Sequence, residues 1–369
     1  MLTDAAKSKK LRVLFVTRAW RKNAGGMERL SWELTTRLSL EPEIEATIIA
    51  HRGHRLLAPL FVLTCLPRVL VAAKKTDIVH LGDPMLSLLA FAIKKILNKP
   101  VAMTVHGLDI SYPNLLYQLY IRTFLKYADA YLPISRYVAS LLAAFHIPGT
   151  SVHTINPGIE DEYYNPTATR SQLDSLLGQH TKNKIVLLTT GRLVKRKGQA
   201  WFISHILPHL PEHAIYVIAG TGPEAARIYR TIRSTHMDDR AIMLGHVSFK
   251  QLKILLNTAD AFIQPNIPVP GDVEGFGLVL LEAATCARPI FAANAEGIPD
   301  AIIESKNGHL IPAHDTKAWI KTLADFTNQP SSHKTAAIMG RTFTLGKFAW
   351  GTTISAYKHI LNSLKASRI

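Results

Sequence analysis

Apolar and polar positions along this chain follow two rhythms. Short runs rich in Val, Ile, Leu and Ala (Leu11–Thr17, Ile44–Ala50, Asp77–Leu81, Pro100–Val105 and Asp129–Ile134) each end in a polar or glycine turn. Between them lie longer stretches with apolar residues at helical spacing, such as Met27–Leu40, where Leu30, Leu34 and Leu38 recur every four positions. Runs that are apolar throughout, rather than at alternate residues, have the character of parallel strands covered on both faces. The cycle restarts at Ile185–Thr190 and continues through Ala214–Ala219, Ala241–Leu244, Ala259–Gln264 and Ile290–Ala293. Alternation of this kind predicts doubly wound α/β sheets. The polar stretch Tyr164–Lys184, with Pro166, several Ser and Thr residues and Gly178, marks the expected break. The pattern predicts two Rossmann-like domains, residues 1–165 and 166–347, facing each other across a cleft.

In open sheets of this type, ligands bind beyond the carboxyl ends of the strands. The residues with most chemical character fall there: Gly25-Gly26 after the first strand, His106 after Val101–Val105, Gly191-Arg192 after Ile185–Thr190, and Glu274 beyond Ala259–Gln264. The stretch Gln264–Gly271 cannot be helical, because its prolines remove donors and fix φ. A helix can therefore begin only near Gly277–Val279, which leaves Glu274 in the loop ahead and puts Glu282 on the first turns. The free N–H groups of that turn and the positive end of the helix suit an anion such as phosphate between the two carboxylates. One acid can then hold a sugar hydroxyl, the other a ribose, and the turn a diphosphate.

The motifs run in order along most of the chain. They are Gly25-Gly26-Met27-Glu28, His106-Gly107-Leu108-Asp109, Pro133-Ile134-Ser135, Asn156-Pro157-Gly158-Ile159, Gly191-Arg192-Leu193-Val194-Lys195-Arg196-Lys197-Gly198, Ala219-Gly220-Thr221-Gly222-Pro223-Glu224, and Glu274-Gly275-Phe276-Gly277-Leu278 with Glu282. This set resembles the retaining, GT-B-fold glycosyltransferases of family 4, the group that includes bacterial mannosyl- and glucosyltransferases and sucrose synthase. The resemblance implies a nucleotide-diphosphate-sugar donor, GDP- or UDP-linked, and a glycan or lipid-linked acceptor docking on the first domain. It also implies that the last helix, within residues 348–369, crosses back onto the first domain. Glu274 and His106 are the expected catalytic residues, Glu274 stabilising charge at the anomeric carbon and His106 contacting the donor sugar or the acceptor. Donor binding is expected from Gly26, Arg192, Lys197, Val247, Phe276, Gly277, Leu278 and Glu282, with Glu282 on the ribose and the main chain of Val247 on the base. No D-x-D follows a strand, and Arg192 and Lys197 supply cations for the leaving diphosphate, so metal-independent transfer without a further cofactor is expected. The turn Ala295-Glu296-Gly297-Ile298-Pro299-Asp300 lacks the first glycine of the GGxPE turn it resembles. An epimerase of the same fold and a catalytically silent binding protein are the alternatives, since fold alone does not fix function.

Composition narrows the remaining choices. The 369 residues are 47% hydrophobic and 19% charged, which describes a globular chain with ample core. The net charge of +16 is denser in the first 150 residues, which carry +10 of it. A basic face attracts phosphorylated substrate, anionic lipid or nucleic acid; the absence of zinc spacing and of an RNA-binding aromatic signature argues against nucleic acid. Cys65 and Cys286 lie in apolar runs and read as reduced core thiols. The N-terminal residues lack an apolar signal core, so a cytoplasmic location is expected. Leu56–Ala73 is apolar over 18 residues but is interrupted by Pro59, Pro67 and Arg68, a poor membrane span. It reads either as a buried helix or as an interfacial patch flanked by His51, Arg52, His54, Arg55, Lys74 and Lys75. With the basic-aromatic stretch Tyr112–Tyr131 it suggests peripheral contact with an anionic membrane.

Overall fold

The computed structural model describes residues 10–21, 25–54 and 57–367; Leu56, the first residue of the apolar segment, and Arg55, which flanks it, lie outside them. The chain divides into two compact units, Met1–Pro157 with Gly351–Ile369, and Gly158–Trp350. In the first unit, β1 (Leu11–Thr17), β2 (Ile44–Ala50), β3 (Ile78–Leu81), β4 (Val101–Val105) and β5 (Ala130–Pro133) form a parallel sheet of order β2-β1-β3-β4-β5. In the second, β6 (Ile185–Thr190), β7 (Ala214–Ala219), β8 (Ala241–Gly245), β9 (Ala261–Gln264), β10 (Ile290–Asn294) and β11 (His309–Pro312) form a parallel sheet of order β11-β10-β9-β6-β7-β8. The α/β class and the two Rossmann-like sheets are as the sequence pattern predicts. β3, β4, β6, β7 and β9 are buried at every position, which is why they read as mostly apolar runs rather than as alternating strands.

The structure adds to the sequence pattern and divides the chain at different positions. The sequence gives no sign of β11, a four-residue edge strand opening on a histidine and closing on a proline, beside a single neighbour. Tyr164–Lys184, the expected break, is itself structured. It holds the helix Arg170–Leu177, opened by a Thr169/Gln172 capping box and closed by left-handed Gly178. The Arg170 guanidinium donates to Asp260 and to the carbonyls of Thr258, Thr181 and Lys184, tying this helix to the second sheet. The division between units therefore falls at Pro157/Gly158, ahead of the expected 165/166. At the other end it falls at Trp350/Gly351 rather than 347/348. Ile159 donates its N–H to the Phe348 carbonyl at 2.8 Å, holding both ends of the second unit side by side.

The terminal helix Trp350–Ala366 returns its larger part to the first unit. Tyr357 shares a 2.9 Å hydrogen bond with Thr104 on β4, and Thr104 shares another with Nε2 of His80 on β3. Burial holds the His80 imidazole down at about 3, so this buried relay is uncharged at neutral pH. At the helix rim Lys358 pairs with Glu41 and Glu43, and Lys365 with Asp77.

At the carboxyl ends of β6, β7 and β9 the backbones approach each other too closely for side chains. Gly220 has φ +148, and a Cβ there would lie 1.8 Å from the Gly191 carbonyl oxygen. Gly198 has φ +70, and a Cβ would lie 1.8 Å from the Pro265 oxygen. Both the left-handed backbone and the contact demand glycine. Replacing Gly198 with Ala is expected to lower stability by about 2–4 kcal/mol, from backbone strain plus overpacking. Gly346→Ala, inside the helix Lys334–Lys347 with open space around it, should instead raise stability by about 0.5–1 kcal/mol. Urea denaturation of both variants checks the pair; equal effects would show that the close approach is not a constraint.

Candidate functional site

The second sheet reverses its strand order between β6 and β9, the switch point at which open α/β sheets bind ligands. Two loops rise there. The one after β6 runs from Gly191 to the left-handed Gly198. The one after β9 runs from Gln264 to Gly277, where φ of +90 turns the chain into the helix Leu278–Thr285. The Ile267 N–H donates to the Arg196 carbonyl at 2.8 Å, joining the loops.

Glu274 sits where they meet. Its Oε2 lies 2.6 Å from Lys197 Nζ, 3.6 Å from Arg196 Nε and 3.2 Å from the donating Asn266 Nδ2. Asn266 is in turn oriented by Gln264 Nε2 at 2.8 Å, and Arg196 also reaches Asp272 at 3.0 Å. Burial by itself would raise the Glu274 carboxyl, but Lys197 and Arg196 outweigh it and hold the group at about 2. Burial pulls the Lys197 ammonium downward, opposed by Glu274. The result is a carboxylate ionised at any neutral pH in a site from which water is largely excluded. Arg196 was not singled out in the sequence. Its position inside the GRL…KG loop was the signal, since Lys195 beside it is exposed while Arg196 and Lys197 turn inward.

Several buried polar atoms on these elements have no hydrogen-bond partner: Thr190 Oγ1 at the end of β6, Gln264 Oε1 at the end of β9, and Gln199 Nε2. The β6–β9 register, with Leu188 opposite Phe262, places Thr190 beside Gln264. Unpartnered buried groups are rare enough to call for an explanation, and a polar ligand is one.

The remaining expected donor residues occupy different environments. Glu282, on the second turn of the helix Leu278–Thr285, accepts a 2.8 Å hydrogen bond from the hydroxyl of buried Tyr163. Tyr163 lay just before the expected domain break, in a sequence with no motif to mark it. Phe276 is not a ligand-facing side chain. Its ring is buried against Phe348, so only its main chain is available to a ligand. Gly277 and Leu278 form the helix start, and Val247 follows β8, just before the Ser248 cap of the next helix. Arg192 is exposed on the loop after β6.

Gly26 and His106 belong to the first unit. Gly26 opens the helix Gly26–Leu40, with Gly25 as its cap at φ −63. Neither glycine has a positive φ, so any service to a ligand rests on the missing side chain rather than on unusual backbone. His106 is buried. Its Nε2 meets the Gly82 carbonyl at 3.0 Å, and Asp109 accepts the N–H groups of His106 and Gly107. A carbonyl can only accept, so the ring nitrogen facing it, Nε2, is the donor, and Nδ1 is the nitrogen outside this contact. Nearby, Arg18 after β1 pairs with buried Asp83 after β3 at 2.8 Å, at the switch point of the first sheet.

Among the described residues no group of three or more His, Cys, Asp or Glu side chains is arranged to hold a metal ion, and no helix is long and apolar enough to cross a membrane. Cys65 and Cys286 are both buried and unpaired.

Residues 178–342 match the family described as glycosyl transferases group 1, and residues 24–163 match glycosyltransferase family 4. A GDP-mannose-dependent α-(1-6)-phosphatidylinositol monomannoside mannosyltransferase of Mycolicibacterium smegmatis is 26% identical over 248 residues, 65% of this chain and 64% of its own length. An amylovoran biosynthesis glycosyltransferase of Erwinia amylovora is 29% identical over 264 residues, 69% of this chain and 62% of its own. The chain thus spans a little under two thirds of the length of these relatives. Among solved structures, Anabaena HepE in complex with UDP and glucose superposes with a TM-score of 0.77 over 96% of this chain and 100% of its own, at 17% identity. Sucrose-phosphate synthase of Thermosynechococcus elongatus gives 0.78 over 97% of this chain and 100% of its own, at 16%.

The depressed Glu274 carboxyl has a consequence for acid stability. A group held below its ordinary value stabilises the fold above that value, here 4.5, and loses the contribution as pH falls toward about 2. The stability gap between the native chain and Glu274→Gln should therefore shrink by on the order of 3 kcal/mol between pH 5 and pH 2. Urea denaturation across that window measures it; a constant gap would mean that the carboxylate is not held by its cations.

Proposed function

Because the chain belongs to the group 1, family 4 glycosyltransferases of the GT-B fold, we propose that it is a retaining, metal-independent hexosyltransferase. It would move a hexosyl group from a GDP- or UDP-linked sugar to a glycan or lipid-linked acceptor in envelope or surface-polysaccharide synthesis. The observation that carries this reading is the buried, ionised Glu274 at the ends of β6 and β9, directly ahead of the helix that bears Glu282. The relatives support both bases: one is named for GDP-mannose, and HepE was solved with UDP and glucose.

In this reaction an acceptor hydroxyl oxygen bonds to the anomeric carbon on the face that the diphosphate is leaving. The bond from that carbon to the diphosphate oxygen breaks, and the hydroxyl proton passes to the departing phosphate. Glu274, already ionised, stabilises the positive charge developing at the anomeric carbon and binds sugar hydroxyls. The turn Phe276-Gly277-Leu278 offers main-chain N–H groups to the diphosphate, assisted by Arg192 and Lys197. Glu282, held by Tyr163, accepts from the ribose, and the main chain of Val247 meets the base. His106 accepts a hydroxyl of the donor sugar or the acceptor through Nδ1, and Gly26 leaves room for the phosphates.

The acceptor side suits a membrane surface. Three tyrosines of the basic-aromatic stretch are turned inward, Tyr117 onto the Asp109 carbonyl, Tyr120 onto Met85 and Tyr131 onto Leu125. The exposed residues are apolar instead: Leu115, Leu116 and Leu119 are 84%, 76% and 63% exposed, with Tyr112 beside them and exposed Arg122 and Lys126 following. Helix Ala58–Lys74 likewise buries Val62, Cys65 and Val69 while exposing Leu60, Leu63 and Val71 near Arg68, Lys74 and Lys75. Apolar insertion with cationic flanks is the combination that anionic lipid recruits.

Calorimetry of UDP and GDP, without and with excess EDTA, tests the donor site; tight, EDTA-insensitive binding of one of them is expected, and binding abolished by EDTA would overturn metal independence. Arg192→Ala should weaken that diphosphate roughly 10- to 100-fold and the monophosphate much less, the scale of a lost charge-assisted contact; equal losses would remove Arg192 from the phosphates. The double variant Leu115→Glu, Leu119→Glu should lose co-sedimentation with phosphatidylglycerol vesicles while binding the diphosphate normally; unchanged sedimentation would refute the membrane face.

A further inference from the structure

The turn after β10 carries a glutamate where its backbone asks for glycine. Glu296 has φ +53, in the left-handed region that side chains with a Cβ avoid. A glycine would take this conformation without strain, so the glutamate side chain must supply something that glycine lacks. Its Oε2 accepts the main-chain N–H of Glu274 at 2.5 Å. The next N–H along the turn, that of Gly297, donates to the Glu274 carbonyl at 3.0 Å. The Glu274 residue is thus clamped from both sides by one turn, while Lys197 and Asn266 hold its side chain. Gly297 must stay bare for this, because a Cβ there would lie 2.0 Å from the Gly275 carbonyl oxygen.

Three charged groups face the Glu296 carboxyl: Glu274 and Asp272 from the loop after β9, and Arg196 from the loop after β6. Burial raises the group, the Glu274 N–H and Arg196 resist, and the two neighbouring acids raise it further, to about 7.

We infer that Glu296 is a positioning residue for transfer: as a carboxylate it fixes the main chain of Glu274 so that its side chain meets the donor sugar, and on protonation this hold weakens, which makes transfer depend on pH near neutrality. The inference rests on the reading that Glu274 engages the donor sugar, and it goes beyond that reading by placing a control group on a separate element.

The test uses the full chain, its Glu296→Gly and Glu296→Gln variants, the four probes UDP, GDP, UDP-glucose and GDP-mannose, and the slow transfer of sugar to water in the absence of acceptor, followed from pH 5.5 to pH 9. Glu296→Gly should bind the bare diphosphate at least as tightly as the native chain and melt no lower, because strain is relieved, yet turn over the sugar nucleotide at least about tenfold more slowly. Glu296→Gln, an uncharged isostere of the protonated acid, should turn over at every pH near the lower rate that the native chain reaches on the acid side, without the native fall through pH 7. Turnover by Glu296→Gly within about twofold of native would overturn the inference, as would an unchanged acidic limb in Glu296→Gln, which decides the matter if the glycine variant fails to fold. A loss of diphosphate binding matching the loss of turnover would show a framework role and overturn it too. Absence of binding of all four probes by the native chain would overturn the functional reading itself, and this inference with it.

Discussion

The buried ion pair between Lys197 and Glu274 is the constraint around which the second unit's loops are arranged. Bringing a carboxylate and an ammonium out of water costs several kcal/mol per ion, recovered only with good geometry and further hydrogen bonds. Each further bond comes from a different strand end: Asn266 and Gln264 from β9, Arg196 from β6, Glu296 and Gly297 from β10. Removing either partner would strand a buried charge, whereas a pair of apolar residues of similar volume would often be neutral or better. Stability alone therefore does not account for the pair. A site that must present a permanently ionised carboxylate to a ligand does.

The sheet topology explains why these loops can meet at all. In an order of β11-β10-β9-β6-β7-β8, the connections from β6 and β9 leave on opposite faces, so a gap opens between their carboxyl ends. The glycines then set how closely the loops fold over that gap. Gly198 rests on the Pro265 carbonyl, Gly220 on Gly191, Gly222 on Leu193 and Gly297 on Gly275, each with no space for a methyl group. Charged side chains in the gap are thereby held by backbone that cannot drift, which is the preorganisation that electrostatic stabilisation needs.

Much of this was legible in the sequence, for definable reasons. Parallel strands buried on both faces are mostly apolar, so β1, β6 and β7 coincide with their apolar runs at both ends, as does the part-exposed edge strand β2. The prolines of Gln264–Gly271 excluded helix and forced its start to Leu278, which separated the environments of Glu274 and Glu282. What stayed hidden depends on side-chain direction. Arg196 and Lys195 are equivalent in sequence, and only the 3₁₀ turn Lys195–Lys197 decides that one turns inward while the other stays in solvent. Tyr163 reaches Glu282 across 119 positions, a distance at which no local pattern speaks. The aromatic stretch Tyr112–Tyr131 suggested tyrosines at a surface, but three of their hydroxyls found backbone acceptors inside, and leucines took the exposed places.

The charge balance of the proposed donor site leads one step further. Five ionisable groups are gathered there, Arg196 and Lys197 against Asp272, Glu274 and Glu296, so with all acids ionised the cluster is net negative. Such a cluster cannot attract a diphosphate by its own field, and Lys197 in particular is already matched by Glu274. In the proposed reading most of the long-range attraction comes from groups outside these pairings, the N-terminal N–H groups of the helix Leu278–Thr285 and the exposed guanidinium of Arg192. Phosphate recognition then rests, in that reading, mainly on the helix end and Arg192, with Lys197 shared between the diphosphate and Glu274, and sugar recognition rests on the carboxylate. On this arrangement, the residue whose protonation brings the cluster closest to neutrality is Glu296, the one acid with no ion pair of its own, so acidification would ease the diphosphate's approach while loosening the hold on Glu274. Binding and transfer would then answer to pH in opposite directions, a split that follows from the charges themselves and not from any movement of the fold.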